Sequence, residues 1–481
     1  MRTDGDFSIK TGPFKPDMES LKQFQCPEWF KKAKFGIWAH WGPQSVPMQG
    51  DWYAHRMYCP DTDVYKYHVR TYGHPSKAGY KDICARWKAE AFDPDELIDL
   101  YIRAGARYFV SQMAHCDNFD NFDSAFQPRF NSVHMGPKKD ILRLWRDAAR
   151  KRGLPFGFSE HLSVSYHWFS ANKNCDMEGM YKGVPYDGND PEYGDLYHEG
   201  NNNRFESPLG WSQPERDDVR RNWFLRVKDA IDKYEPDILY SDSCLPCGQY
   251  GLNIIAHLYN ASAARYGVNN AVYTQKDPNP DVFPVGVLDI ERSREETMTG
   301  YVWQTDTAVG DWFYSVRDCY KPWHVIVETL VDIISKNGVL LLNVTQKPDG
   351  TVDDENRYIL GKISGWMAVN GEGVYDTECF RVCGEGTSQY TKRGQFEEYA
   401  VNWNETDVRF TRKGNNVYAF LMRAPDRQAV LRTFDITRER VKDVSMLGAG
   451  RLPFEQTGAG LVVNMPDTFP SQYVNCLKIT V

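Results

Sequence analysis

No stretch of eighteen or more apolar residues occurs in the 481-residue chain, which excludes a transmembrane helix. An excess of basic residues is missing too: 57 Lys and Arg stand against 65 Asp and Glu, for a net charge of −8. No extended basic face is left to neutralise a phosphate backbone, so nucleic acid is not an expected partner. The eleven Cys are an odd number, and Cys244 and Cys247 form a lone CxxC without a second pair at zinc-finger spacing. Buried thiols therefore rank above a metal site, and a disulfide framework is not expected. A GxSxG elbow that would present a Ser nucleophile is absent, and so is any cofactor fingerprint. Solenoid repeats and low-complexity tracts are also lacking. The first twenty residues contain no apolar core of the signal-peptide kind. The expected compartment is periplasmic or extracellular if a signal peptide has been removed, and cytoplasmic otherwise.

What the chain does have is aromatic side chains, 14% of it, with 14 Trp and 28 Tyr, many in polar, Gly-rich surroundings. Such rings suit a sugar cleft, since pyranose C–H faces stack on aromatics while the hydroxyls need hydrogen-bond partners. A large aromatic-rich core is the plainer reading of the same composition.

From residue 33 to 345, short apolar runs alternate with amphipathic stretches, the pattern of βα repeats around a parallel sheet. Eight strand candidates start at Lys34, Arg107, Leu154, Asp237, Ala271, Val285, Tyr301 and Val339. Between them lie helical segments. In DPDELIDLYIRAGA, for example, Leu97, Leu100 and Tyr101 share a face and Gly105 follows as a stop. This predicts a (β/α)8-like barrel, with a doubly wound open sheet as the structural alternative. An insertion from about Asn172 to Gln213 interrupts the repeat and reads as a lid or binding loop. After about Gly373 the runs become short and β-rich, which predicts a barrel over 1–372 and a C-terminal β-sandwich over 373–481.

Reactive side chains of such a barrel come from the C-terminal ends of its strands. Those ends are polar here: His40-Trp41, His115-Cys116-Asp117, Glu160-His161, Asp242, Lys276-Asp277, Asp289 with Glu291, and Trp303-Gln304. Taken singly, each has an ordinary explanation. His40 could be a hydrogen-bonded core residue, Asp242 in Ser-Asp-Ser could cap a helix, and Glu291 in ERSREE could belong to a solvated face. His115 and Asp117 look like part of a metal site, but no further ligand recurs at the right spacing. As a set they meet the needs of glycoside hydrolysis, in which one ionised carboxylate attacks the anomeric carbon and a protonated one serves the leaving oxygen. No metal and no organic cofactor is called for.

At these residues the chain resembles the α-L-fucosidases of glycoside hydrolase family 29. WFKKAKFGIWAHWGPQSVP is similar to that family's AKFGIFxHWG first strand, DWY from Asp51 to its EWY, and AGARYFVSQMAHCDNF to its AGAKYVVxxxKHHDGF. YEPDILYSDS resembles the YxPDxxWxDG segment that carries the nucleophile, and SKNGVLLLNVTQKPDGTV the signature closing the barrel. The collinear match spans roughly residues 25 to 375.

The resemblance implies a retaining exo-glycosidase acting on a fucosylated oligosaccharide or polysaccharide. Asp242 would be the nucleophile, and His40, Trp52 and His115 would contact the sugar. The family's acid/base is a Glu upstream of a Trp. Glu291, twelve positions before Trp303, fits that description, with Glu295 and Glu296 behind it. Departures fall around the sugar: Asp51 for Glu, Cys116 for the second His, Tyr240 for Trp, Ser243 for Gly, and Lys276 as the basic residue after the fifth strand. Glu160 and His161 could supply replacement contacts. These changes leave two alternatives open: the same mechanism on α-L-galactose or a sulfated fucose, and a carbohydrate-binding relative without catalysis. The sequence fixes no oligomeric state.

Overall fold

The computed structural model describes residues 1–201, 214–392 and 394–481. The eight expected strands are all present: β1 (Phe35–Ala39), β2 (Phe109–Ala114), β3 (Phe156–Glu160), β4 (Ile238–Ser241), β5 (Val272–Gln275), β6 (Val287–Asp289), β7 (Trp303–Ala308) and β8 (Gly338–Asn343). Every residue in them is buried, because helices cover the outer face while side chains fill the interior. Each strand pairs in parallel with its sequence neighbour. The ring closes where Phe35–Trp38 of β1 pair with Leu340–Asn343 of β8, so the open-sheet alternative is excluded.

The helical segments begin and end for local reasons. Asp93 caps Pro94–Arg103 by accepting from the amide of Glu96 at 3.0 Å, and Gly105, at φ 106°, turns the chain into β2. Asp140 caps Ile141–Lys151 in the same way through Arg143. No described helix is long and apolar enough to cross a membrane, and all eleven Cys are free thiols.

One strand is shifted from its expected position. Trp303-Gln304 begins β7 rather than ending it, since the strand runs on through Thr305-Asp306-Thr307-Ala308. Alternating polar residues on an inner barrel strand conceal its continuation, because both faces are buried and no apolar run marks it. Of the insertion after β3, residues 172–201 form short 3-10 turns and one α-turn, Gly194–Tyr197. They are fastened by carboxylates: half-buried Asp176 accepts from Tyr65 at 2.7 Å and buried Asp187 from Tyr58 at 2.8 Å. The rest of that insertion, 202–213, lies outside the described residues.

The helix Asp354–Asn370 leads into two antiparallel sheets. One contains β9 (Glu378–Glu385), β10 (Val408–Lys413), β11 (Asn416–Leu421), β13 (Asp443–Met446), β14 (Gly450–Arg451) and β17 (Asn475–Thr480). The other contains β12 (Gln428–Leu431), β15 (Phe454–Thr457) and β16 (Gly460–Asn464). They enclose a core that includes Phe410, Leu431, Val444, Leu461 and Leu477. This second unit is joined to the barrel through a buried charge cluster, in which Asp332 contacts Arg294 at 3.1 Å, Lys336 at 2.9 Å and Arg409 of β10 at 2.7 Å.

Candidate active site

A cavity of about 460 Å³ opens at the C-terminal ends of the barrel strands. Trp38 and His40 reach it from β1, His115 and Cys116 from the end of β2, His161 from β3, and Asp242 from β4. Glu291 lies just beyond β6, and Asp306 is the fourth residue of β7. Asp51 and Trp52 come from the connection after β1, and Trp312 from the one after β7. Trp52, at φ 62°, and Arg292, at φ 45°, adopt the left-handed backbone, a strain of about 1–3 kcal/mol each that persists only where packing overdetermines it.

Two acids meet across one cation. The ammonium of Lys276, just past β5, lies 2.5 Å from Asp242 Oδ1 and also contacts Glu291 Oε2. The nearest oxygens of the two carboxylates are therefore no farther apart than two hydrogen bonds in sequence, on the order of 5 Å. His161 Nδ1 sits 2.8 Å from the other Asp242 oxygen, and the Asp242 amide donates to the Glu160 carbonyl at 3.0 Å.

Burial alone would raise the Asp242 carboxyl, but Lys276 and His161 outweigh it and hold it well below the usual range. Glu291 goes the other way. Burial dominates, Asp306 and Asp242 add repulsion, Lys276 only partly compensates, and its carboxyl is pushed up to about 8. Burial likewise disfavours a charged Lys276, yet Asp242, Glu291, Asp306 and Asp289 together push its pKa well above the ordinary value. At neutral pH the trio is thus an anion, a cation and a protonated acid.

Beneath it lies a second acidic pair. Burial raises Asp289 to about 6 and Asp306 well above the carboxylate range, and the two hydrogen-bond to each other, which requires a retained proton. The Tyr240 hydroxyl lies 3.2 Å from each of them and 3.3 Å from Asp242. Gln304 Nε2 donates to Asp289 at 2.8 Å.

The opposite arc of the rim is imidazole-rich. Polar atoms of His40, His115 and His161 lie within 4.8 Å of one another. Burial first, then mutual repulsion, holds His40 and His115 well below their ordinary value, so both are neutral. The His115 tautomer follows from its neighbour. The Ala54 amide donates to Gln44 Oε1, which leaves Gln44 Nε2 to donate to His115 Nδ1 at 2.8 Å and puts the ring proton on Nε2. His115 Nε2 is 3.9 Å from Asp51, whose carboxyl is raised by burial and by Asp311. His40 Nδ1 and Asp51 Oδ1 are buried with no hydrogen-bond partner among the described residues.

Four residues anticipated at the sugar, Lys276, Trp303, Glu160 and Tyr240, are not among those lining the cavity. Trp303 starts β7 at the far end of the barrel, where its indole donates to the Lys336 carbonyl at 3.0 Å. Trp312 stands at the mouth, its ring tilted by 38° to that of His40 at 5.1 Å, with Arg292 4.9 Å from it. Glu160 turns away, accepting from Trp223 at 2.9 Å and the Leu162 amide at 3.0 Å. Tyr240 lies below Asp242. Glu295 is occupied by Tyr301 at 3.0 Å, and neither it nor Glu296 lines the cavity.

Sequence reasoning also missed a whole wall. Gln395, Phe396 and Glu397, from the connection between β9 and β10, line the cavity beside Glu291. The Phe396 amide donates to the Glu291 carbonyl at 2.8 Å, while Gln395 accepts from the Glu291 amide and donates to the Asp289 carbonyl at 3.2 Å.

Residues 5–372 match the family model described as alpha-L-fucosidase, and residues 402–480 the model for the alpha-L-fucosidase C-terminal domain. The chain belongs to the α-L-fucosidase family. Tissue alpha-L-fucosidase of Rattus norvegicus is 27% identical over 484 residues, covering 97% of this chain and 92% of that protein. The human tissue enzyme is 26% identical, with 97% of this chain and 92% of that protein covered. The crystal structure of Thermotoga maritima alpha-fucosidase in complex with fucose superposes with a TM-score of 0.73 at 26% identity, covering 97% of this chain and all of that one. Among α-L-fucosidases this chain is thus a distant relative, a glycoside hydrolase of barrel-plus-sheet architecture.

Proposed function

We propose that the protein is a retaining exo-acting α-L-fucosidase that works by double displacement, with Asp242 as nucleophile and Glu291 as acid/base. The observation that carries this reading is the shared Lys276 ammonium. It keeps the carboxylates within the span of about 5–5.5 Å used by retaining pairs, shorter than the 6.5–9.5 Å needed to admit a water in inversion. It also goes with the charge asymmetry of an ionised Asp242 and a protonated Glu291.

In the first step Asp242 attacks the anomeric carbon while Glu291 passes its proton to the departing oxygen, leaving a glycosyl-enzyme. In the second, Glu291, now a carboxylate, takes a proton from water as that water displaces Asp242, and the original configuration returns. His40, His115 and His161, with Asp51, are the hydroxyl partners, and Trp52 and Trp312 are the stacking faces. Lys276 and Tyr240 position and charge-balance the nucleophile. Fucose is favoured because the Thermotoga relative was crystallised with it. Presence of both acids and their cation speaks against a binding-only relative.

Azide tests the roles. Asp242→Gly should lose aryl α-L-fucoside hydrolysis by about ten-thousand-fold or more, and azide should rescue it to the β-configured glycosyl azide. Glu291→Ala should be rescued to the α-configured azide. The reverse pairing, or full activity of Asp242→Gly, would sink the assignment. Aryl glycosides differing only at C6 separate fucose from α-L-galactose.

A further inference from the structure

The outer wall of the cavity is not barrel at all. It is the β9–β10 connection, and its most prominent side chain is Phe396, 47% exposed, whereas Trp38 on the cavity floor is 1% exposed. An exposed ring on a loop is ordinarily free to move, but the backbone that carries this one is held in place. Its own amide is bonded to the Glu291 carbonyl at 2.8 Å, and its backbone, at φ 61°, is in the left-handed region that a bulky residue avoids unless its surroundings impose it.

The flanking residues do the imposing. Gln395 brackets Glu291 through the Glu291 amide and the Asp289 carbonyl. The Glu397 carbonyl accepts from Tyr390, whose hydroxyl also meets Ser293 at 2.9 Å. Glu398 is tied to Lys321 at 2.7 Å and to Thr307 of β7 at 2.9 Å.

Glu291 must face the oxygen that leaves. Whatever is attached to that oxygen therefore lies on the Glu291 side of the cavity, across from His40, His115 and His161. Phe396 is the apolar face on that side, and the Glu397 carboxylate, paired with Lys392 at 3.0 Å, borders it with polar atoms.

We propose that Phe396 is the platform of the leaving-group subsite: its ring takes the C–H face of the pyranose to which the terminal sugar is linked. This rests on the catalytic reading above and extends it to a residue supplied by the second unit. The ligand class is a pyranose with one apolar face, since a ring offers dispersion and C–H contact but no hydrogen bond.

The experiment compares two substrates: α-L-fucosyl fluoride, whose leaving group is a single atom, and whichever α-1,2-, α-1,3-, α-1,4- or α-1,6-linked fucosyl disaccharide the wild type cleaves fastest. In Phe396→Ala the ratio of the disaccharide kcat/KM to the fluoride kcat/KM should fall about tenfold, the worth of one aromatic stacking contact. Phe396→Trp should restore it. An unchanged ratio in Phe396→Ala overturns the assignment, and so does an equal loss on methyl α-L-fucoside, which needs the same protonation as the disaccharide but carries no second pyranose, as expected if the loop merely positions Glu291. Wild-type turnover of neither substrate would overturn the fucosidase reading and this assignment with it. Turnover of both with an unchanged ratio overturns the assignment alone.

Discussion

Asp242 and Glu291 touch the same ammonium, yet the molecule holds them by different means. Asp242 follows β4 directly, its amide is bonded to β3, and His161 and Lys276 from the adjoining strands reach its two oxygens. All of that is local barrel pairing. Glu291 sits past β6, which has three residues and is the shortest strand of the barrel. Ile290 and Arg292 donate to β7 at 2.9 and 2.8 Å, and the Glu291 backbone itself is held by Gln395 and Phe396, about a hundred residues downstream. The proposed nucleophile is thus set by the strands themselves, while the proposed proton donor is set by a tertiary contact between two units. Local pairing gives rigidity at the attacking atom, and the distant clamp allows the leaving-group side to differ without touching the nucleophile.

That contrast can be broken most severely at Glu291. Glu291→Ala should lower kcat/KM on a fucosyl disaccharide by about a hundred- to ten-thousand-fold, the usual worth of general acid catalysis. It should cost far less on α-L-fucosyl fluoride, whose leaving group needs little protonation. Equal losses on the two would mean that Glu291 is not the acid.

The pH profile sharpens it next. A carboxyl raised to about 8 is protonated below that pH, so kcat/KM should hold through neutrality and fall as pH rises through about 8. The acidic limb belongs to Asp242 and should lie well below the ordinary carboxylate range. Lys276→Met removes the cation that lowers both carboxyls, so both limbs should move to higher pH and kcat/KM should fall by roughly ten- to a hundredfold. Limbs that stay in place in the variant would show that the shared ammonium does not set these charges.

The smallest effect is expected at the clamp. Gln395→Ala deletes side-chain hydrogen bonds to the backbone around Glu291, worth about 0.5–1.5 kcal/mol each, so disaccharide turnover should drop about three- to tenfold. The melting temperature should shift by no more than about 4 °C, and the acidic limb should not move. A displaced acidic limb would mean that the loop reaches Asp242 too.

Much of this was legible in the chain. The barrel follows from alternating apolar and amphipathic runs, and His40, His115, His161, Asp242 and Lys276 were found because each directly follows or ends a strand with a strong apolar signal. Legibility fails where burial is polar. The inward residues Gln304 and Asp306 interrupt the apolar run of β7, which made Trp303 look like a strand end and hid Asp306 altogether. Trp312, on a connection, carries no periodic signal that would separate it from a core aromatic. Gln395, Phe396 and Glu397 were out of reach for another reason: they act across a contact about a hundred residues long in sequence, and no local pattern encodes such a partner.

The wall over Glu291 is made by chain that follows the barrel, and this bears on when the site comes into being. Domains emerging from a ribosome fold in order from the N-terminus. The barrel can close once β8 has been made, with Asp242 already seated, but the backbone around Glu291 gains its last supports only when residues 395–398 have emerged and docked. On the proposed mechanism, a nascent or truncated chain ending before them would hold the pocket without a finished acid, so competence for turnover would arrive with the second unit rather than with the ring of strands.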